Sequence, residues 1–368
     1  MQKDMHYYGV YCLARSAGIK KKAAEIIAYA SQYIDDSTAR DIDDHKDGSK
    51  IIAIPTAHHT MDLIRNLDLN HQREIWVPFH FMPGGKGTTF TSKLVCRKDS
   101  AIAREMVKNN LYHDEKAYVL HLLGITAHVY ADTFAHYGFS GVSSRRNRIV
   151  GDTVKIEQST ELLEFLMGNK LATFFEKYGE QGGLLHNVRS FVSFAGEVGS
   201  GALGHGAVSV YPDQPFLRWS FDYEYPDMVT ETKSMRDNQK TFLEACEKLY
   251  NLFTDFLAIH KQHFDIASRV EFLEIKPKIK EILALEVSKE ERCDAWVKAL
   301  KKGEVSGKKE KLPIYDADKW ENERDNFPKL TNAKDGAKLN VYKFYQAASY
   351  HRHYVLRELL PKHGIIVI

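Results

Sequence analysis

Apolar residues recur at helical spacing along most of this chain, and the breaks between the periodic stretches predict its elements. A buried helix is expected over 5–17, closed by Gly18 in the left-handed position that ends many helices. A second is expected over 21–34, where Ala24, Ile27, Ala28 and Ala30 are its apolar residues, and it delivers Asp35 and Asp36 at its C-terminal end. Acids there meet the partial negative charge of a helix terminus, so a compensating cation is expected nearby. Residues 37–50 are polar and acidic and predict an exposed loop, followed by a brief β-branched run that leads to His58 and His59. Pro78 and Pro83 argue against a regular helix around His80, which is expected on an extended segment. Helical periodicity resumes over 99–111 and 114–136, then over 158–168, 170–178 and 184–195. Small residues then crowd His205, and the aromatic run from Trp219 to Tyr225 either lines a pocket or stacks on the core. A long helix is expected over 233–263, with Phe242, Cys246, Leu249, Phe253, Phe256 and Leu257 as its core face. Residues 265–338 are rich in Lys and Glu, with helical pieces at 268–284 and 287–301 and a charged loop or disordered segment at 301–311. They predict a peripheral insertion or subdomain. A last helix, 338–360, docks back on the core; His351 and His353 are two apart and cannot share one of its faces. The expected fold is thus all-α, a mostly helical bundle: a core over 1–264, a charged insertion over 265–338 and a docking helix within 339–368.

The helix expected over 114–136 organises the rest. Leu122, Leu123, Ile125, Ala127, Val129, Ala131 and Ala135 are apolar on nearly every side, which predicts a path through the core. Steps of four bring His128, Asp132 and His136 onto one stripe of that helix. Burying an unpaired charge is costly, and a metal ion satisfies two imidazoles and a carboxylate at once. Core residues hydrogen-bonded to backbone and water are the other arrangement that would do so.

Composition narrows the field. With 368 residues, 43% hydrophobic and 11% aromatic, the chain can bury one large core or two smaller ones, which excludes a disordered protein. Lys and Arg (51) nearly balance Asp and Glu (49), so a formal charge of +2 makes no global electrostatic case for nucleic acid or an anionic membrane. No apolar run approaches ~18 residues, and the stretch Met1 to His6 lacks the pattern of a signal peptide, so a soluble, cytoplasmic protein without integral membrane contact is expected. Cys12, Cys96, Cys246 and Cys293 are dispersed and form no metal-binding pair; any metal must use His, Asp and Glu. The loop holding Arg145, Arg146 and Arg148 is either a solvated turn or a clamp for phosphate. No Gly-rich nucleotide loop, serine elbow or His-Glu-x-x-His motif is present.

The order of the acid and histidine residues resembles the zinc-dependent phospholipase C and single-strand nuclease superfamily. There an N-terminal helix bears a His, an Asp follows an early helix, a His stands in a Ser-His-Phe-type segment, and a core helix supplies His-x-x-x-Asp and a further His before a last His and acid. This chain offers His6, Asp35 or Asp36, His80 in Phe-His-Phe, His128 with Asp132, His136, and then His205 with Asp213. It departs in spacing: His136 follows Asp132 by four residues rather than six, and Asp213 lies eight beyond His205 across a proline. Superfamily members also bind a metal through the amine and carbonyl of a processed N-terminal residue. Here five residues precede His6, and Asp4 is either the substitute ligand or a helix cap. The segments around His6, Asp35 and His136, with Gly204 to Pro215, are also similar to an uncharacterised bacterial family.

The resemblance implies one to three metal ions, zinc or else manganese or iron, held by His6, Asp35 or Asp36, His80, His128, Asp132, His136, His205 and Asp213. It implies a hydrolase acting on a phosphoester through a metal-activated water. Asp132 is then expected to bridge two ions, Asp35 or Asp36 to act as general base, and Arg145, Arg146 and Arg148 to offset phosphate charge. The expected partner is a phosphate-containing small molecule or a nucleotide or nucleic acid. His58, His59 and His351 are further histidines that could join the site. The competing expectation is a helical binding or regulatory protein in which the same residues hold a structural metal or a hydrogen-bonded core.

Overall fold

A computed structural model describes residues 1–58, 68–113, 116–158, 202–226 and 233–367. The helices expected over 158–168, 170–178 and 184–195, apart from Gln158, and the expected candidate His59 lie outside the described residues. The fold is mostly helical. A π-helical stretch, Asp4–Gly9, runs without a break into α1, Val10–Ala17, which ends at Gly18 with φ 101°. Helix α2 spans Lys21–Asp36. The acidic stretch expected as a plain loop instead contains a two-stranded antiparallel ribbon, β1 (Ile42–Asp44) and β2 (Lys50–Ile52). Then come α3 (Ala101–Leu111), capped by Ser100, and α4 (Val119–Ala135). Strands β3 (Ile149–Ile156), β4 (Arg218–Tyr223) and β5 (Lys233–Asp237) form an antiparallel sheet in that order, with a register shift between Val150 and Lys155. These two small sheets correct the all-α expectation. Helix α5 is Asn238–Ile259, not 233–263, because Asp237 caps it and the residues ahead pair with β4. Helices α6 (Phe272–Leu283), α7 (Lys289–Lys302), α8 (Asp318–Asp325) and α9 (Asn340–His353) follow, and α9 continues as a π-helical stretch, Tyr354–Leu359. Among the described residues, no helix is long and apolar enough to cross a membrane.

Helix α4 is the axis of the main core. Every residue from His121 to Ala135 is buried, and α2, α3, α5 and α9 pack around it. Its contact with α2 is close because Gly124 stands where a Cβ would lie 2.4 Å from the Ile27 carbonyl oxygen. Any side chain there would push the helices apart and carry Asp35 away from His128.

The region 265–338 contributes side chains to the main core. Ile275 and Ile279 of α6 and Trp296 and Leu300 of α7 belong to the same core as α1 and α4. Its exposed faces supply the Lys and Glu that give the segment its charged appearance, while one stripe of each helix is apolar. A second core, under the three-stranded sheet, gathers Phe139, Phe216, Trp219, Phe221 and Tyr223. The aromatic run on β4 therefore stacks on a core.

Candidate metal centre

Four parts of the chain converge on the stripe of α4. The π-helical entry positions His6, the end of α2 positions Asp35, a helical turn positions His80, and the segment beyond β3 returns with His205 and Asp213. His80 corrects an expectation: its segment is helical, Gln72–Trp76 as a π-turn and Val77–Phe79 as a further turn, with His80 at the end. Pro78 lies where the π-helical stretch passes into that last turn, with Trp76 and Val77 both in helical conformation, so the proline does not end the helix before His80.

Asp132 faces two groups of ligands at once. Its Oδ1 lies 3.1 Å from His6 Nε2 and 2.7 Å from the α-amine of Met1. Its Oδ2 lies 3.2 Å from His128 Nε2 and 3.6 Å from His80 Nδ1, and Asp35 Oδ1 is 3.8 Å from both of those nitrogens. A further group forms around Asp213, whose Oδ1 is 3.1 Å from His136 Nε2 and from the Met1 amine, with Oδ2 3.7 Å from His205 Nε2. Among the described residues, three sets emerge with ligand atoms close enough to share an ion: His6, Asp35 and His128; His80, His128 and Asp132; His136, His205 and Asp213.

The outer partners fix which ring nitrogens face inward. His80 Nε2–H donates to the Thr56 carbonyl (2.9 Å), His136 Nδ1–H to the His80 carbonyl (2.9 Å) and His205 Nδ1–H to the Ser209 carbonyl (2.7 Å). Each bond leaves the opposite nitrogen with a lone pair aimed at a carboxylate, the outer-shell pattern of metal-ligating imidazoles. His6 stacks on His128 with ring centroids 3.9 Å apart, and Phe81 stacks on His136 at 4.8 Å.

Burial holds three of these imidazoles, those of His6, His128 and His205, in the neutral, ligand form. It pushes His6 and His205 down to about 4 and His128 well below the usual histidine value. Burial and the Asp132 carboxylate push Asp35 well above the usual carboxylate range. Burial opposes ionisation of Asp132 and Asp213 too, but His136, the Met1 amine and the other histidines outweigh it for Asp132, and the amine with His205 and His136 for Asp213, so both are lowered. The amine, disfavoured by burial but drawn by Asp132, Asp213 and Asp35, rises to about 11. The Asp132 and Asp213 carboxylates outnumber the one ammonium and leave room for added positive charge, so the donor set fits divalent cations. Nitrogen and oxygen donors without sulfur suit zinc, manganese or iron.

The geometry also separates residues that sequence could not. Asp35 faces the histidines, whereas Asp36 Oδ2 accepts from the Tyr315 hydroxyl at 2.6 Å. Asp4, the possible substitute for an N-terminal ligand, is instead ion-paired with Arg292, and it is the Met1 amine that enters the cluster. His351 lies apart, with Nε2–H donating to the Pro78 carbonyl and Asn110 beside Nδ1, and the three ligand sets do not include His58. The expected phosphate clamp has other partners: Arg146 donates to the Thr91 and Thr89 hydroxyls, and Arg145 lies over the Tyr225 ring. What sequence reasoning missed is the amine and the carbonyls of Thr56 and Ser209, backbone groups that carry no residue-type signal.

Comparison with known proteins gives a family and no activity. A family model, "Family of unknown function (DUF6765)", matches residues 1–359, so the chain belongs to that family. No curated protein and no solved structure shows a significant match.

Proposed function

We propose that this protein is a metal-dependent hydrolase of phosphoesters, with zinc, or manganese or iron on the same donors, held by His6, Asp35, His80, His128, Asp132, His136, His205 and Asp213. The observation that carries the reading is the convergence of lone-pair nitrogens from His80, His136 and His205, each locked by a backbone carbonyl, on the carboxylates of Asp132 and Asp213. The resemblance in ligand order to the zinc-dependent phospholipase C and nuclease superfamily points the same way. A divalent ion in such a setting brings the pKa of water down to ~7 and supplies hydroxide at neutral pH. Asp132, with one oxygen to each of two groups, holds them at a fixed separation. Asp35 and His205, with side chains 31% and 17% exposed, are the members nearest solvent. A phosphate-containing substrate meets the centre along that edge, with Asp35 as the base that takes a proton from attacking water.

A second reading, a structural ion or a purely hydrogen-bonded core in a binding protein, is favoured by the complete burial of His6 and His128. Elemental analysis of protein purified without added metal, with hydrolysis of bis(4-nitrophenyl) phosphate, separates the two. Bound transition metal with chelator-sensitive hydrolysis supports the enzyme. Metal-free protein whose stability ignores a strong chelator rejects any metal reading, and metal without hydrolysis of phosphodiesters or phosphomonoesters favours the structural one.

A further inference from the structure

The π-helical segment Asp4–Gly9 carries His6 into the centre, and it is held from outside by the helix that looked least connected to it. Arg292, in the first turn of α7, has a side chain 1% exposed and spreads its guanidinium over three acceptors: Asp4 Oδ2, the Gln2 side-chain carbonyl at 3.1 Å and the Val287 carbonyl at 2.7 Å. Two of the three lie on the N-terminal segment, on either side of Lys3. One turn further along α7, Trp296 packs on the same segment, where a Cβ at Gly9 would stand 3.4 Å from its ring. The helix itself is pinned at its start by a capping box between Ser288 and Glu291. A buried arginine bound to Gln2 and Asp4, two residues on the path from Met1 to His6, fixes that path, because a planar fork with several acceptors has one orientation.

We infer that Arg292 is a positioning residue: from α7 it sets His6 beside His128 and Asp132, and so governs whether an ion is held by His6, Asp35 and His128. This rests on the metal reading of the centre. The hydrogen bonds of Arg292 run to Gln2, Asp4 and Val287, whereas the other ligands, Asp35, His80, His128, His136, His205 and Asp213, come from other parts of the chain.

The test measures metal stoichiometry by mass spectrometry and backbone hydrogen exchange in full-length wild type, Arg292→Met, Asp4→Asn and the double variant. Arg292→Met is expected to hold one metal equivalent fewer than wild type, with the remaining ions retained and exchange of residues 2–9 raised at least ~10-fold while α4 keeps its protection. Asp4→Asn is expected to move both readouts in the same direction, and the double variant to add little, as for two residues of one interaction. If Arg292→Met does not fold, Asp4→Asn carries the comparison. A full metal complement with unchanged exchange over 2–9 overturns the inference, as does uniform loss of all ions. A wild type without metal overturns the reading of the centre instead; exchange over 2–9 then decides whether Arg292 still fixes the segment.

Discussion

Asp132 Oδ1 and His6 Nε2 lie 3.1 Å apart, although 126 residues of chain separate them, while the other oxygen of the same carboxylate faces His128 one turn back on α4. One carboxylate thus faces His6 through one oxygen and the His80 and His128 group through the other. Replacing it with an amide removes one oxygen and the charge, so Asp132→Asn is expected to lose more than one metal equivalent and to lower phosphodiester hydrolysis by at least ~100-fold, beyond the ~10–100-fold typical of losing an outer-shell partner. Metal analysis beside the kinetics checks this. If the residue is only a core hydrogen-bonding group, the variant instead loses stability and has no hydrolysis to lose.

Asp35 and Asp36 are adjacent, so the α-helix turns them ~100° apart. Asp35 faces His128 and Asp36 faces Tyr315. Asp35→Asn is expected to weaken metal binding with little effect on the metal-free fold. Asp36→Ala should leave the metal content unchanged and cost about 1–2 kcal/mol in urea unfolding by removing the acceptor of the Tyr315 hydroxyl. The reverse pattern would assign the ligand to Asp36.

This contrast between the stripe on α4 and the two acids of α2 marks how far the site is legible in the sequence. A repeat of four on an apolar helix reports its own geometry, so the convergence of His128, Asp132 and His136 follows from spacing alone. Two adjacent acids at a helix end cannot be separated that way, because their directions matter only relative to α4 and the loop that holds Tyr315. His80 reads as extended because prolines usually end helices, and a π-turn that carries a helix on through Pro78 has no simple signature. Strand β5 reads as the start of α5 because Lys233 to Asp237 is short and polar, and only pairing with β4 makes it a strand. Arg292 and Trp296 of α7 are masked by the lysines and glutamates around them, although Trp296 is 1% exposed. An N-terminal amine belongs to every chain, so only its location, a tertiary fact, makes it part of a site.

Histidines away from the ligand sets predict acid sensitivity. Burial holds His351 down to about 4 and His121 down to about 3. In the unfolded chain each titrates near 6.5, so between that value and the folded one the unfolded state binds more protons and stability falls as pH drops. The contribution of His351 is fully present above ~6.5, and at pH 5 about 2 kcal/mol of it is gone. Urea unfolding of chelator-treated protein should show this between pH 7 and 5, and His351→Asn should flatten the slope. An unchanged slope would mean that the ring is protonated in the fold and that its bond to the Pro78 carbonyl is charge-assisted.

Beyond His136 the chain must leave α4 and turn at Gly138, and Arg236 from β5 organises that turn. Its guanidinium lies 3.7 Å over the Tyr137 ring and donates to the Tyr137 carbonyl (2.5 Å) and the Tyr223 hydroxyl (3.1 Å). A cation is favourable at the negative end of a helix. Gly138 has φ 87°, and a Cβ there would stand 2.1 Å from the Tyr223 Oη and 2.8 Å from Arg236 Nη2. Gly138→Ala therefore meets both a left-handed backbone and a filled space, with an expected cost of about 2–4 kcal/mol. Tyr223→Phe in the same chain removes the nearer clash but not the backbone strain, and should recover only part of it. Because His136 lies two residues before the strained position, Gly138→Ala should also weaken metal binding at the His136, His205 and Asp213 group at least ~10-fold, whereas the metals at Asp132 remain. Urea midpoints and chelator competition measure the two effects separately; a full recovery in the double variant would show that the turn carries no backbone strain and that the hydroxyl alone demands glycine.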